Sequence, residues 1–178
     1  MSFKTKIFTV PGLGSSGPLH WQSVWEEEFD IKRIEQRDWE HPVCGEWVEK
    51  IDSVVADDTD IILVGHSLGC VTIVEWAKRY GKMIKAALLV APCDTEQVDF
   101  PKVTEDFTPM PEYKLPFPSV MIVSDDDTYI NIARGNYFAT KWGSDLIVMN
   151  KLGHINSMSN LGRWNEGLKA LERLDSLG

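Results

Sequence analysis

The chain has 178 residues, 43% of them apolar and 25% charged, enough to bury the core of one domain spanning residues 1–178. A net charge of −9, with no basic stripe, argues against nucleic acid or an anionic membrane as a main partner. No apolar run approaches the ~20 residues that span a bilayer, and Met1-Ser2-Phe3-Lys4-Thr5-Lys6 lacks the apolar core of a signal peptide. Three cysteines, Cys44, Cys70 and Cys93, stand in unrelated contexts without a CxxC pair. They read as free thiols in a reducing compartment, which points to the cytoplasm.

In chain order, Lys6-Ile7-Phe8-Thr9-Val10 reads as a buried strand ending at Pro11-Gly12. A shorter strand is expected over residues 31–34, followed by a helical stripe of Trp47, Val48, Ile51, Val54 and Val55 with Pro42 near its start. Asp60 to Gly65 is a strong strand, and Val71, Val74 and Trp76 belong to a following helix stopped by Gly81. Residues 86–90, 119–123 and 145–149 supply three more strands. Leu161, Trp164, Leu168 and Leu171 form the stripe of a C-terminal helix. Continuous apolar runs alternating with helices predict an α/β doubly wound fold, six parallel strands with helices on both faces. The segment from Cys93 to Pro118, rich in proline and acids, breaks this rhythm and is expected to be a long loop beside the active site. The seven tryptophans are expected mostly in the core.

Gly65-His66-Ser67-Leu68-Gly69 lies between a predicted strand and a predicted helix, the context that gives a G-x-S-x-G string chemical meaning. The turn is tight enough to need small residues on both flanks, and it projects the Ser67 hydroxyl above the sheet edge. The Leu68 N–H, at the helix N-terminus, is then placed to face a developing oxyanion. A serine nucleophile needs a base, and chain order in this arrangement runs Ser, acid, His. His154 follows the last strand and fits the base. His66 is expected to point away from the nucleophile, His41 precedes a helix, and His20 reads as a structural hydrogen-bonding residue beside Trp21. The acid should follow the fifth strand, where spacing alone leaves Asp125, Asp126 and Asp127 equivalent, with Asp94 as a weaker fourth. Pro11-Gly12-Leu13-Gly14-Ser15-Ser16-Gly17 lacks the spacing of a dinucleotide site or a P-loop. It can instead bring the Leu13 N–H to the oxyanion. There is no HExxH and no clustered metal-ligand set, so neither a metal nor another cofactor is expected.

Several separated blocks together resemble the small serine hydrolases that include YdeN-like and retinoblastoma-binding-protein-like α/β hydrolases. They are Val10-Pro11-Gly12 with His20-Trp21-Gln22; Gln36 with Asp38-Trp39 and Pro42; and Gly65-His66-Ser67-Leu68-Gly69-Cys70. Val90-Ala91-Pro92, Leu115-Pro116-Phe117-Pro118, Asp126-Asp127 with Tyr129, and Gly153-His154-Ile155-Asn156 with Trp164 complete the set. The resemblance implies a minimal α/β-hydrolase fold, its six parallel strands in spatial order 2-1-3-4-5-6, without a large cap, hence a shallow open site, and it implies Asp127 as the acid. Two positions depart from the family pattern: Thr128 stands where proline is usual, and Asn160 where glycine is common. The activity implied is esterase-like, on a small-molecule acyl substrate, with no protein partner indicated. Rival readings on the same fold are a catalytically quiet binding module, an acyltransferase and a thioesterase.

Overall fold

The computed structural model describes residues 2–177. Six parallel strands form one sheet: β1 (Lys6–Val10), β2 (Ile31–Arg33), β3 (Ile61–His66), β4 (Ala86–Val90), β5 (Ser119–Ser124) and β6 (Asp145–Met149). Their spatial order is β2-β1-β3-β4-β5-β6, as expected. Among the described residues five α-helices follow them, one after every strand but β4: α1 (Trp21–Glu28), α2 (Cys44–Val55), α3 (Leu68–Tyr80), α4 (Ile132–Trp142) and α5 (Asn165–Asp175). Among the described residues no helix is long and apolar enough to cross a membrane.

The apolar runs explain the layering. Every residue of β3, β4 and β5 is buried, because each strand feeds two cores at once. Ile61 and Leu63 face one core, shared with Trp47, Ile51, Val71, Trp76, Phe138 and Trp142 of α2, α3 and α4. Ile62 and Val64 face the other, with Trp21, Trp25, Leu168 and Leu171 of α1 and α5. The chain order reverses between β1 and β3, which opens a crevice at the C-terminal ends of those strands.

Some local expectations shift. β6 reads as a buried run but is an edge strand, and Val148 is half exposed. Leu161 and Trp164 precede the last helix instead of lying in it. Trp164 is its left-handed N-cap (φ 45°), and Gly167 fits beneath the indole, where a Cβ would lie 2.2 Å from a ring carbon. The left-handed Asn160 (φ 50°) explains why glycine suits that position. Helices α1 and α4 were not expected: α1 has only eight residues, and Gly135 and Ala139 dilute the stripe of α4.

The 93–118 segment is a packed strap. It contains a short 3-10 turn (Lys102–Phe107), and Phe107, Met110, Leu115 and Phe117 are buried. Asp106 accepts a 2.6 Å hydrogen bond from the Cys44 N–H, satisfying an N-terminal donor of α2 that no capping side chain of its own serves.

Candidate active site

The strand β3 delivers Ser67 at the crevice. Its N–H donates to the Val90 carbonyl at 3.1 Å, tying the turn to β4. Ser67 itself takes φ 53°, ψ −122°, a conformation that costs about 1–3 kcal/mol and persists only where its surroundings enforce it. The flanking glycines are the enforcement. A Cβ on Gly69 would lie 2.0 Å from the Val10 carbonyl oxygen, and one on Gly65 would lie 3.0 Å from the Cys70 nitrogen. Helix α3 can therefore start directly against the ends of β1 and β3.

Three side chains meet at this point. Ser67 Oγ lies 2.9 Å from His154 Nε2, and His154 Nδ1 lies 2.8 Å from Asp127 Oδ2 and 3.0 Å from Oδ1. A carboxylate can only accept, so Nδ1 carries the proton and Nε2 is free to accept from the serine hydroxyl. The Asp127 side chain is fully covered, and Tyr129 donates its backbone N–H to Oδ1 at 2.8 Å. The Tyr129 ring also packs on the imidazole, centroids 4.4 Å apart.

The other candidate acids are engaged elsewhere. Asp125 accepts from the Lys151 N–H, and Asp126 accepts from the Ser124 hydroxyl and the Gly153 N–H. Asp94 is buried in a two-pronged pair with Arg134, at 2.7 and 2.9 Å.

The glycine-rich loop after β1 lies against the elbow: a Cβ on Gly12 would sit 2.8 Å from Ser67 Cβ and 3.2 Å from the Leu68 nitrogen. The loop is braced by Gly14 N–H to Trp39 O at 2.9 Å and by Arg33, which donates to the Ser15 hydroxyl while paired with Glu26. Leu13 lines the cleft above Ser67. Leu68 opens α3, so its N–H has no helical acceptor.

His66 is closer to the site than expected. Its ring lines the cleft, 5.0 Å from the His154 ring, and its Nε2–H donates to the His154 carbonyl at 3.0 Å. Burial, with His20 and His154 nearby, holds it well below the usual histidine range. His20 is the structural residue expected: it caps α1 by accepting from the Gln22 N–H and packs on Trp21. Burial first, then Arg33 and His154, lowers it to about 3. Cys44, Cys70 and Cys93 are free and buried. Burial pushes Cys93, which touches the Ser67 side chain, up to about 12, so it remains a thiol.

The cleft has a volume of about 280 Å³. Phe100 and Pro101 of the strap form one wall, and Tyr129, Asn156 and Met158 another. Among the described residues no Asp, Glu, Lys or Arg lines it. Phe100, Pro101 and Met158 carried no motif that would mark them beforehand; only the strap's place in the chain hinted at the first two. Among the described residues no group of three or more His, Cys, Asp or Glu is arranged to hold a metal ion.

Residues 7–173 match the protein family described as serine hydrolase. The crystal structure of a YdeN-like hydrolase from Pectobacterium atrosepticum superposes with a TM-score of 0.83 at 30% identity, covering 96% of this chain and 90% of that one. The ydeN gene product of B. subtilis (TM-score 0.73, 15% identity, 98% of this chain and 100% of that one) shares the fold. So does a thermophilic esterase from Thermogutta terrifontis (0.69, 13%, 99% and 92%). Comparison with curated proteins gave no match. A match over nearly the whole length, on a sheet of this order, leads to one conclusion: the chain belongs to the serine hydrolase family of the α/β-hydrolase superfamily and is a hydrolase.

Proposed function

We propose that this protein is a carboxylesterase-type hydrolase that cleaves small, uncharged acyl esters through an acyl-enzyme, with Ser67, His154 and Asp127 as its triad. The observation that carries the reading is the unbroken hydrogen-bond relay from Ser67 Oγ through the His154 ring to Asp127, at 2.9 and 2.8 Å. The small cleft without ionic side chains supports an uncharged acyl group.

In the reaction, Ser67 Oγ attacks the ester carbonyl carbon as its proton passes to His154 Nε2. Asp127 holds the imidazole in the Nδ1–H tautomer and stabilises the imidazolium that forms. The carbonyl oxygen becomes an oxyanion, accepting from the Leu68 and Leu13 N–H groups, with the α3 dipole behind it. Collapse breaks the bond to the leaving alkoxide, which takes the proton from Nε2. Water then gives its proton to His154 and attacks the acyl-enzyme, releasing the acid and restoring Ser67.

Three buried thiols and the acidic surface support a cytoplasmic setting with small-molecule substrates rather than nucleic acid. The test is hydrolysis of p-nitrophenyl esters of increasing chain length by wild type and Ser67→Ala. The expected result is turnover that favours short acyl chains and disappears in the variant. Undiminished turnover by Ser67→Ala would overturn the reading.

A further inference from the structure

The β5–β6 ladder ends with Ser124 opposite Met149. Beyond it the ladder pairing ends, and side chains now make the bonds between the two chains. Asp125 Oδ1 accepts from Lys151 N–H at 2.7 Å, and Ser124 Oγ from Leu152 N–H at 2.8 Å. Asp126 Oδ1 accepts from Gly153 N–H at 2.7 Å, and Asp127 takes the His154 ring. The Ser124 hydroxyl in turn donates to Asp126 at 2.7 Å. Four consecutive residues thus grip four consecutive residues.

The gripped loop is not one that a free chain would hold. Lys151, Gly153 and Ile155 all have positive φ (54°, 56° and 48°), and for the two non-glycine residues this costs on the order of 1 kcal/mol each or more. Its carbonyls are held as well. Ser159 Oγ donates to Leu152 O at 2.6 Å, His66 Nε2–H to His154 O at 3.0 Å, and Trp21 Nε1–H to Ile155 O at 2.8 Å. Backbone groups that a regular element would pair internally are paired here by side chains from four other segments.

From these bonds we infer that Asp125 and Asp126 are positioning residues: their carboxylate oxygens cast the 151–155 loop in the shape that points His154 Nε2 at Ser67. Both carboxylates are exposed and touch neither the reacting serine nor the imidazole. Their effect on turnover passes through His154 alone, so the inference rests on the proposed triad. What each must supply is an acceptor oxygen, and asparagine supplies one in the same place, whereas alanine supplies none.

The experiment compares Asp125→Ala, Asp125→Asn, Asp126→Ala and Asp126→Asn in the full chain, with p-nitrophenyl acetate. Each alanine variant is expected to lose kcat by roughly tenfold or more with KM within about twofold, since misplacing a reacting group costs turnover more than binding. The asparagine variants are expected to recover most of that loss. In parallel, proton NMR reads the downfield His154 Nδ1–H resonance, and hydrogen exchange reads the Lys151 and Gly153 amides. Both are recorded also in the Ser67→Ala background, where no turnover is needed. The resonance should broaden and the amides exchange faster in the alanine variants. Wild-type kcat with an unchanged resonance in the alanine variants would overturn the inference, as would asparagine variants as impaired as alanine. Should an alanine variant fail to fold, the serine variant at that site is read by the same criteria. Loop signals that behave as expected while Ser67→Ala still turns over ester would locate the failure in the triad reading, not in the clasp.

Discussion

Gly12→Ala probes the contact between the glycine-rich loop and the elbow. The added Cβ would lie 2.8 Å from Ser67 Cβ, 3.0 Å from the His66 carbonyl oxygen and 3.2 Å from the Leu68 nitrogen. Carbon atoms rest about 3.5–4.0 Å apart, so the loop or the elbow must move by roughly 0.7 Å or more. None of these neighbours is the end of a flexible side chain, so no rotamer change can absorb the overlap. On the proposed mechanism the shift carries the Leu13 N–H, one residue along, out of the window of about 2.7–3.1 Å from the oxyanion. Loss of one such donor costs about 2.7–4 kcal/mol, or 10²–10³-fold in kcat. Overpacking should cost about 1–3 kcal/mol of stability. The assay is steady-state hydrolysis of p-nitrophenyl acetate alongside thermal melting, with Gly17→Ala as the control. Gly17 belongs to the same loop, but nothing lies within 4 Å of its added Cβ, so that variant should match wild type. Gly12→Ala turning over at the wild-type rate would refute the reasoning, as would an equal loss in Gly17→Ala.

Asp127→Asn should lower kcat by about 10⁴-fold, because the imidazole loses both its tautomer and its counter-charge; Asp94→Asn, which only loosens the pair with Arg134, should lower Tm and leave kcat near wild type. Equal kcat losses in these two variants would reject the assignment of the acid. Gly69→Ala should destabilise by about 3 kcal/mol or more in urea unfolding, since its Cβ would meet the Val10 carbonyl at 2.0 Å. A near-neutral result would mean that the helix is not held where the elbow needs it. Stability should also fall in mild acid. Burial holds His20 at about 3 and His66 well below 6.5, so the unfolded chain binds protons that the folded one refuses. His20 alone should cost about 1 kcal/mol between pH 6.5 and 5.5, and His66 adds to the loss. His20→Asn keeps a good N-cap and should remove about 1 kcal/mol of that loss. Urea titrations at the two pH values check both statements, and stability that holds or rises toward pH 5.5 would contradict them.

The parts of this fold that could be read in advance share one property: the signal and its cause lie within a few residues of each other. Ser67 is such a case, because the apolar run of β3, the two glycines and the helix that follows are contiguous. His154 is nearly one, being the histidine just after the last strand. The candidate acid is different. Asp125, Asp126 and Asp127 are alike by spacing, and only the resemblance to a family singled out Asp127. What separates them in the structure is how the two chains meet beyond the β5–β6 ladder, where Asp127 reaches the His154 ring while Asp125 and Asp126 hold the Lys151 and Gly153 N–H groups. Where two loops meet past the end of a sheet is a long-range property that local patterning does not carry. The place of His66 was misread for the same reason: it depends on where the 151–155 loop returns, 88 residues later. Edge exposure of β6 was likewise hidden, since an apolar run does not reveal that no strand follows it in space.

The central claim is that Ser67 is the nucleophile that His154 activates, and fluorophosphonate labelling followed by intact-mass measurement and peptide mapping tests it most directly. The account predicts a single adduct located on Ser67 in the wild-type protein and none in Ser67→Ala, which should remain folded. An adduct mapped to any other residue, or labelling of Ser67→Ala at the wild-type rate, would contradict it.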